Sequence, residues 1–206
     1  MNLLKKLIIS LGLFAITITV SAQNNVKIPS ITSFIAANSK QYKGMFNIYV
    51  QNEKYYMEIP RPLFGRDILA AITINGGSAQ LDRDPQKRFG FSGDAVYDMV
   101  FRFRLYKNSN VLLEQPQFYN APDSTGSYYN LIKSKVMPIA MAFNVIAEGS
   151  NTVLFDITDA INSDMPIFSL SGAKEDLGLG SYQANLSYPL GIVAYKNNII
   201  FRTIKA

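Results

Sequence analysis

The stretch GMFNIYVQNEKYYMEI, residues 44–59, decides the character of the fold. Its first half alternates two sets of side chains, Phe46, Ile48 and Val50 against Met45, Asn47 and Tyr49. This two-residue period is typical of a β-strand that buries one face. Asn52–Glu53 then supplies a tight turn, and residues 54–59 form a return strand. The stretch therefore predicts an antiparallel β-hairpin.

Three further hairpins are predicted beyond this one. They join residues 97–106 to 111–118, residues 139–147 to 152–157, and residues 190–196 to 199–204. Residues 67–74 (DILAAITI) are nearly all apolar and predict a strand buried on both faces. The fold class expected from these patterns is α+β, with an antiparallel, hairpin-rich sheet core of about eight strands.

Two or three short helices complete the expected fold. Ser127 is suited to cap a helix over residues 128–136, which Pro138 would end. Thr158 and Asp159 indicate the start of a helical turn that runs through Asn162. A third helical piece is expected at residues 173–177, between glycines.

The first 22 residues have the pattern of a signal peptide. Two lysines precede an apolar run from Leu7 to Val20, which is too short to cross a bilayer as a helix. Small residues then lead to a cleavage site between Ala22 and Gln23, and the alternative is a retained membrane anchor. We expect an exported chain, 23–206, with no membrane span, forming a single β-rich domain in which 23–77 can be a small N-terminal subdomain.

The composition excludes most of the common catalytic and metal chemistry. The 206 residues contain no His and no Cys, so disulfides, Cys-His and Ser-His-Asp systems and the usual zinc sites are excluded. We therefore predict no catalytic residue, no metal ligand and no cofactor. The formal charge of +5 falls to +3 when the two lysines of the signal peptide are removed. A surplus of this size does not indicate a polyanionic partner.

Several local patterns resemble binding sites but have simpler interpretations. Residues 87–91 (KRFGF) resemble the start of an RNA-binding aromatic strand, but Ser92–Gly93–Asp94 breaks the pattern, so we predict two inward-packed rings and no nucleic acid. Asp82–Arg83–Asp84 lacks the glycine and the closing glutamate of a calcium loop. We interpret Arg102 and Arg104 as part of a solvated strand face. We interpret Asp156 and Asp159 as helix-capping residues.

An ordered set of segments resembles the opening of a family of large secreted zinc-dependent metallopeptidases of Gram-negative bacteria. The segments are KGMFNIY (43–49), KYYMEIP (54–60), LFGRDIL (63–69), VMPIAMAF (136–143), DITD (156–159), GLG (178–180) and IFRTIK (200–205). In that family, two adjoining domains of unknown function precede the catalytic domain. The resemblance covers roughly residues 33–205.

The resemblance implies a non-catalytic role for this chain. The zinc site of that family is an H-E-x-x-H helix, and a chain without histidine cannot provide it. We expect an accessory module, truncated or stand-alone, in the periplasm or outside the cell, that docks on a metallopeptidase catalytic domain, on another envelope protein or on itself. The alternative is a hydrolase that works without His, of a Ser-Lys or carboxylate type, for which Ser171–Lys174 has the S-x-x-K spacing.

The last hairpin is the expected interaction edge. Its final strand is where the chain of the family would continue, and an uncovered strand edge invites pairing. The residues predicted to form this edge are Ile192, Val193, Ile199, Ile200 and Phe201.

Overall fold

The predicted N-terminal hairpin is confirmed in a computed structural model, which describes residues 28–77, 89–116 and 136–206. Strands β2 (Asn47–Gln51) and β3 (Lys54–Pro60) pair antiparallel, with Tyr49 opposite Tyr56. Asn52 and Glu53 both have positive φ, as the turn of a two-residue hairpin requires. A short strand that the sequence did not reveal, β1 (Lys40–Tyr42), extends the sheet beside β2.

The second group of strands is also built from neighbours in sequence. β4 (Asp67–Thr73), β5 (Ala95–Tyr106) and β6 (Asn110–Glu114) pair antiparallel in that order. The prediction that residues 67–74 are buried on both faces is wrong. β4 is the edge strand of the sheet, and the side chain of Leu69 on its outer face is 65% exposed.

A single strand connects the two groups. The first part of β7 (Ile139–Glu148) pairs with β6, and its last part, from Val145 onward, pairs with β8 (Thr152–Asp156). β8 also pairs with β3, through Met57 opposite Phe155. The result is one eight-stranded sheet in the order β1-β2-β3-β8-β7-β6-β5-β4.

The last two strands form a separate two-stranded sheet. β9 (Tyr188–Ala194) and β10 (Ile199–Ile204) pair antiparallel across a turn at Asn197–Asn198. We call residues 188–204 the terminal hairpin. The described residues therefore contain ten strands, and the α+β class with an antiparallel sheet core is confirmed.

The helices of the described residues are short. They are α1 (Ile31–Phe34), α2 (Thr158–Ile161) and α3 (Ala173–Asp176), with 3₁₀ turns at Arg61–Leu63, Pro166–Phe168 and Ala184–Leu186. α2 and α3 lie where the sequence predicted helical turns. α1 is not predicted by the sequence patterns, and it is capped by Ser30, whose hydroxyl accepts a hydrogen bond from the backbone N–H of Ser33.

The main core lies on the face of the sheet that alternation predicted. Phe155, on β8, is fully buried and its ring contacts those of Phe103 and Phe143, with centroids 5.8 and 5.0 Å away. A second, smaller cluster lies on the opposite face, where Ile31 and Ile35 cover Tyr56 and Leu154. Both faces of the sheet near β3 and β8 are thus covered.

Some predicted features lie outside the described residues. These are the signal peptide with its cleavage site at Ala22–Gln23, the acidic segment at 82–84, and the helix expected at 128–136 except for its last residue, Val136. The export signal and the division of 23–206 into domains stay predictions.

Candidate interaction surface

The terminal hairpin packs one face against the core and turns the other outward. On the inner face, Ile192 is buried and lies opposite Phe201, whose ring contacts that of Phe168 edge to face at 5.4 Å. Next to the turn, the backbone N–H of Met45 donates a 2.9 Å hydrogen bond to the carbonyl of Tyr195. These contacts fix the hairpin to the rest of the domain.

The terminal hairpin and the residues just before it expose a concentration of apolar side chains. Half of the large apolar side chains that the described residues expose lie between 186 and 204. They are Leu186, Tyr188, Leu190, Tyr195, Ile200 and Ile204, which are 36–56% exposed. We define the outer face by Tyr188, Val193, Ile200, Arg202 and Ile204, in which Ile200 lies opposite Val193 and Ile204 opposite Tyr188. Clusters of exposed apolar side chains of this kind mark interaction sites in soluble proteins.

The structure separates the five residues that the sequence predicted as an interaction edge. Ile192, Ile199 and Phe201 belong to the inner face and pack with the main core. Val193 and Ile200 belong to the outer face, where Ile200 is 41% exposed. The alternation of strand side chains explains the division, since only every second residue reaches the outer face.

The only charged residue on the outer face is Arg202, at its centre. It is exposed and makes no ion pair with any described residue. The residue opposite it on β9 is Gly191, which has no side chain. From Leu177 to Ala206 the sequence contains Lys196, Arg202 and Lys205 but no Asp or Glu. This end of the molecule is therefore apolar and basic.

Lys205 anchors the chain just after β10. Its Nζ donates hydrogen bonds to the carbonyls of Ile161 and Ser163, at 2.5 and 2.7 Å, at the C-terminal end of α2. A cation in this position satisfies carbonyls that the helix leaves unpaired. Burial lowers the pKa of Lys205 to about 8, against an opposing effect of the Asp164 carboxylate. Its ammonium also lies over the rings of Phe168 and Tyr182.

A small, shallow cavity of about 20 Å³ opens beside Lys205. Asp164 and Lys174 form an ion pair at its wall, and the Ser169 hydroxyl donates a 2.7 Å hydrogen bond to Asp164. Burial alone would raise the pKa of Asp164, but the hydrogen bonds from Lys174 and Ser169 outweigh it and lower the pKa. The Asp164 carboxylate is therefore ionised at neutral pH and bound to Lys174 and Ser169.

The S-x-x-K candidate of the hydrolase alternative lies at this cavity. A Ser-Lys mechanism needs an uncharged lysine amine close to the serine hydroxyl. Lys174 instead forms an ion pair with the Asp164 carboxylate. Ser171 has a positive φ of 49° and donates its backbone N–H to Ser169. Both residues thus take part in the local hydrogen-bond and ion-pair network around Asp164 and Ser169.

A second polar cluster lies on the sheet at β2 and β3. The carboxylate of Glu58, a residue that is 8% exposed, accepts hydrogen bonds from Asn47 Nδ2 at 2.9 Å and Tyr49 Oη at 2.7 Å. Burial alone would raise the pKa of Glu58, but hydrogen bonds from Thr152, Tyr49 and Asn47 outweigh it and lower the pKa. Burial and the Glu58 carboxylate together raise the pKa of Tyr49.

The remaining sequence patterns have structural roles. Phe89 packs toward Ile74, but Phe91 is 53% exposed, so the prediction of two inward rings is half wrong. Arg102 and Arg104 pair with Asp67 and Glu114 on the neighbouring strands. Asp156 accepts the backbone N–H of Thr158 at 2.8 Å just before α2, whose N-cap residue is Ile157, and Asp159 lies in the first turn of that helix.

The described residues contain neither a metal-binding cluster of His, Cys, Asp or Glu side chains nor a membrane-spanning helix. In residues 28–77, 89–116 and 136–206, no three side chains of His, Cys, Asp or Glu come close enough together to hold a metal ion. Within the same ranges, no helix is long and apolar enough to cross a membrane.

Comparison with known proteins identifies two family models in the chain. One, described as Domain of unknown function (DUF5118), matches residues 28–77, which contain α1 and β1–β4. The other, described as Domain of unknown function (DUF5117), matches residues 93–206, which contain β5–β10. No curated protein and no solved structure matches the chain. Because the second match spans more than half of its length, the chain belongs to the family of the domain of unknown function DUF5117.

Proposed function

We propose that this protein is a non-catalytic accessory module, exported to the periplasm or the cell surroundings, that docks on another protein through the outer face of its terminal hairpin. The observation that carries the proposal is the exposed apolar side chains of a hairpin whose inner face is fixed to the core. A rigid element that presents apolar surface to water is suited to binding and costs little ordering entropy.

The nature of the partner follows from the resemblance described above. In the secreted metallopeptidases, two adjoining domains of unknown function precede the catalytic domain, and two such family models adjoin in this chain. A metallopeptidase catalytic domain is therefore the first partner to test, and another envelope protein is the second. The pairing of Lys174 with Asp164 argues against the Ser-Lys hydrolase alternative.

The docking proposal is tested with the mature chain, a metallopeptidase catalytic domain from the same genome, and two matched variants. Ile200→Lys places a charge on the outer face, and Leu69→Lys makes the same change on β4, at a more exposed site away from the hairpin. We expect isothermal titration to show binding for the wild-type chain and Leu69→Lys and none for Ile200→Lys. Circular dichroism must show that both variants are folded.

The proposal fails if the wild-type chain sediments as a monomer at high concentration and binds neither the catalytic domain nor an envelope extract. It also fails if Ile200→Lys only unfolds the protein, since Ile200 would then be ordinary core. Retention of binding by Ile200→Lys would move the interface away from the hairpin.

The export part of the proposal has its own test. The basic start, the short apolar run and the small residues before Gln23 support cleavage after Ala22. Mass spectrometry of the protein from the envelope fraction should give a chain that begins at Gln23, with that residue cyclised. Recovery of an intact chain from Met1 in the membranes would refute export with cleavage.

A further inference from the structure

We infer that the free edge of β10 accepts an extended segment of a partner protein that carries one carboxylate between two apolar side chains at alternate positions. This inference rests on the proposed docking function and specifies the chemistry of what is bound. The partner segment would add a third strand to the terminal hairpin.

The first feature that supports strand addition is the free edge of β10. β10 pairs with β9 alone among the described strands. Within the described residues, no backbone hydrogen bond links Ile199–Ile204 to any segment other than β9. A strand in this position directs every second N–H and C=O away from its single neighbour, so these groups are available to an added strand.

The second feature of this edge is its side-chain pattern. Ile200, Arg202 and Ile204 follow one another on the outer face at a spacing of two, and each is exposed. Directly opposed residues of adjacent strands have Cβ atoms about 5 Å apart and interact. An added strand would therefore place its own alternate side chains against an isoleucine, an arginine and an isoleucine.

The third feature of this edge is the exposed side chain of Arg202. On its β9 side it faces Gly191, beside which there is open space, and on its other side it has no strand. Arginine binds a carboxylate through two parallel hydrogen bonds, and apolar neighbours strengthen the pair by excluding water. An acidic residue opposite Arg202 is thus the side chain that this edge favours.

The charges also argue against a second copy of the chain as the occupant. A two-fold antiparallel contact that sets Ile200 of one copy opposite Ile204 of the other would bring the two Arg202 side chains together, and no acidic residue between 177 and 206 could compensate. Like charges in opposed positions destabilise a strand pair. An anionic membrane surface would use the same cations, so the experiment must separate it from a peptide.

The test measures binding of a fluorescent, capped nonapeptide, STVTETVTS, to the full mature chain by anisotropy. In a strand, its two valines and its glutamate share one face. Matched peptides replace the glutamate with glutamine (STVTQTVTS) or lysine (STVTKTVTS). We expect the wild-type chain to bind the glutamate peptide about 10-fold more tightly than the glutamine peptide and to reject the lysine peptide.

A charge exchange makes the test specific. Arg202→Glu should lose the glutamate peptide and gain the lysine peptide. Lys196→Glu makes the same change in net charge at the exposed turn of the hairpin, and it should bind all three peptides as the wild type does. Circular dichroism and the thermal midpoint should show that both variants are folded.

Three outcomes would overturn the inference. One is equal binding of the glutamate and glutamine peptides, and another is the absence of exchange in Arg202→Glu. The third is that the wild-type chain binds phosphatidylglycerol vesicles but none of the peptides, and that Arg202→Glu abolishes the vesicle binding. The outer face would then be a membrane-binding surface. If Ile200→Lys still loses the catalytic domain while the peptides fail to discriminate, the proposed docking function stands and the strand-addition chemistry is wrong.

Discussion

At the scale of single residues, Glu58 is the buried group whose charge matters most to the sheet at β2 and β3. Its carboxylate has no cationic partner among the hydrogen bonds described and depends on Asn47, Tyr49 and Thr152. Each hydrogen bond to a charged group such as this carboxylate contributes about 1.5–3 kcal/mol to stability. The cluster is therefore sensitive both to substitution and to acid.

We predict that Glu58→Gln lowers the free energy of unfolding at pH 7 by about 1–3 kcal/mol, because an amide accepts these hydrogen bonds less well. The folded pKa of Glu58 lies below its usual value of 4.5, so its stabilisation is present above pH 4.5 and is lost as the pH falls through the folded pKa. The difference between the two proteins should shrink toward pH 3. Urea titrations at several pH values measure it, with the exposed Glu175→Gln as control. An equal difference at all pH values would contradict the assignment.

Lys205 gives a second prediction for the pH dependence of stability, in the alkaline range. Its folded pKa of about 8 lies below the usual 10.5. Between these values the unfolded chain holds a proton that the folded chain has released, so the free energy of unfolding rises with pH. We expect a rise on the order of 1–2 kcal/mol between pH 8 and 10. Lys205→Met should lose this rise, whereas Lys54→Met, at an exposed lysine, should keep it. If the free energy of unfolding of Lys205→Met still rises over this pH range, another group is responsible for the rise.

At the scale of elements, the attachment of the terminal hairpin depends on Gly44. A Cβ at this position would lie 2.6 Å from the carbonyl oxygen of Tyr195, closer than real Cβ contacts come, and 3.0 Å from the Cβ of Ala194. A Cβ at Gly191 would meet nothing within 4 Å. The close approach at Gly44 thus ties the hairpin to the segment before β2.

We predict that Gly44→Ala destabilises the protein by about 2 kcal/mol, because the hairpin or the segment around Gly44 must shift. Gly191→Ala should change the stability by less than about 1 kcal/mol. Hydrogen exchange should show faster exchange at β9 and β10 in Gly44→Ala alone. Unchanged exchange there would mean that the inner-face contacts of Ile192 and Phe201 suffice to hold the hairpin.

The elements that the sequence predicted well are those that local signals determine. The hairpins at 44–59 and 97–114 have alternating side chains and turn residues that accept positive φ, such as Asn52 and Asn108. β4 was misjudged because an apolar run does not tell whether the strand is central or at an edge. The pairing of β3 with β8 joins residues about 100 positions apart, and no local pattern encodes it.

The candidate surface was predicted in place but not in detail. The sequence located the last hairpin, yet Ile192 and Ile200 differ only in the face that packing assigns to them. Arg202 and Lys205 carried no signal in a chain read without its fold, since exposed cations are common on strands. The lack of acidic residues after Asp176 is the feature of the sequence that would have indicated a basic surface.

At the scale of the whole molecule, the two matched family regions share one sheet. β3 lies in the region 28–77 and β8 in the region 93–206, and they pair along five positions. Phe155 on β8 lies opposite Met57 and contacts the rings of Phe103 and Phe143. The core on this face is thus common to both regions.

We predict that Phe155→Ala lowers the free energy of unfolding by about 3–5 kcal/mol, as expected for a fully buried ring. Hydrogen exchange should show the same loss of stability in β2–β3 and in β5–β6. The variant should also unfold in a single transition. Thermal scans in the far and near ultraviolet, together with hydrogen exchange, measure it. A loss confined to one group of strands would establish residues 23–77 as an independent subdomain.

The position of β7 between the two groups of strands has a mechanical consequence. Every load passed through the sheet from β3 and β8 to β5 and β6 crosses this one strand, which pairs with β8 at only three positions, Val145, Ala147 and Glu148. The β4–β5 ladder, by comparison, has seven paired positions. A partner that pulls on the protein would therefore load the seam between β7 and β8 more heavily, per paired position, than the β4–β5 ladder.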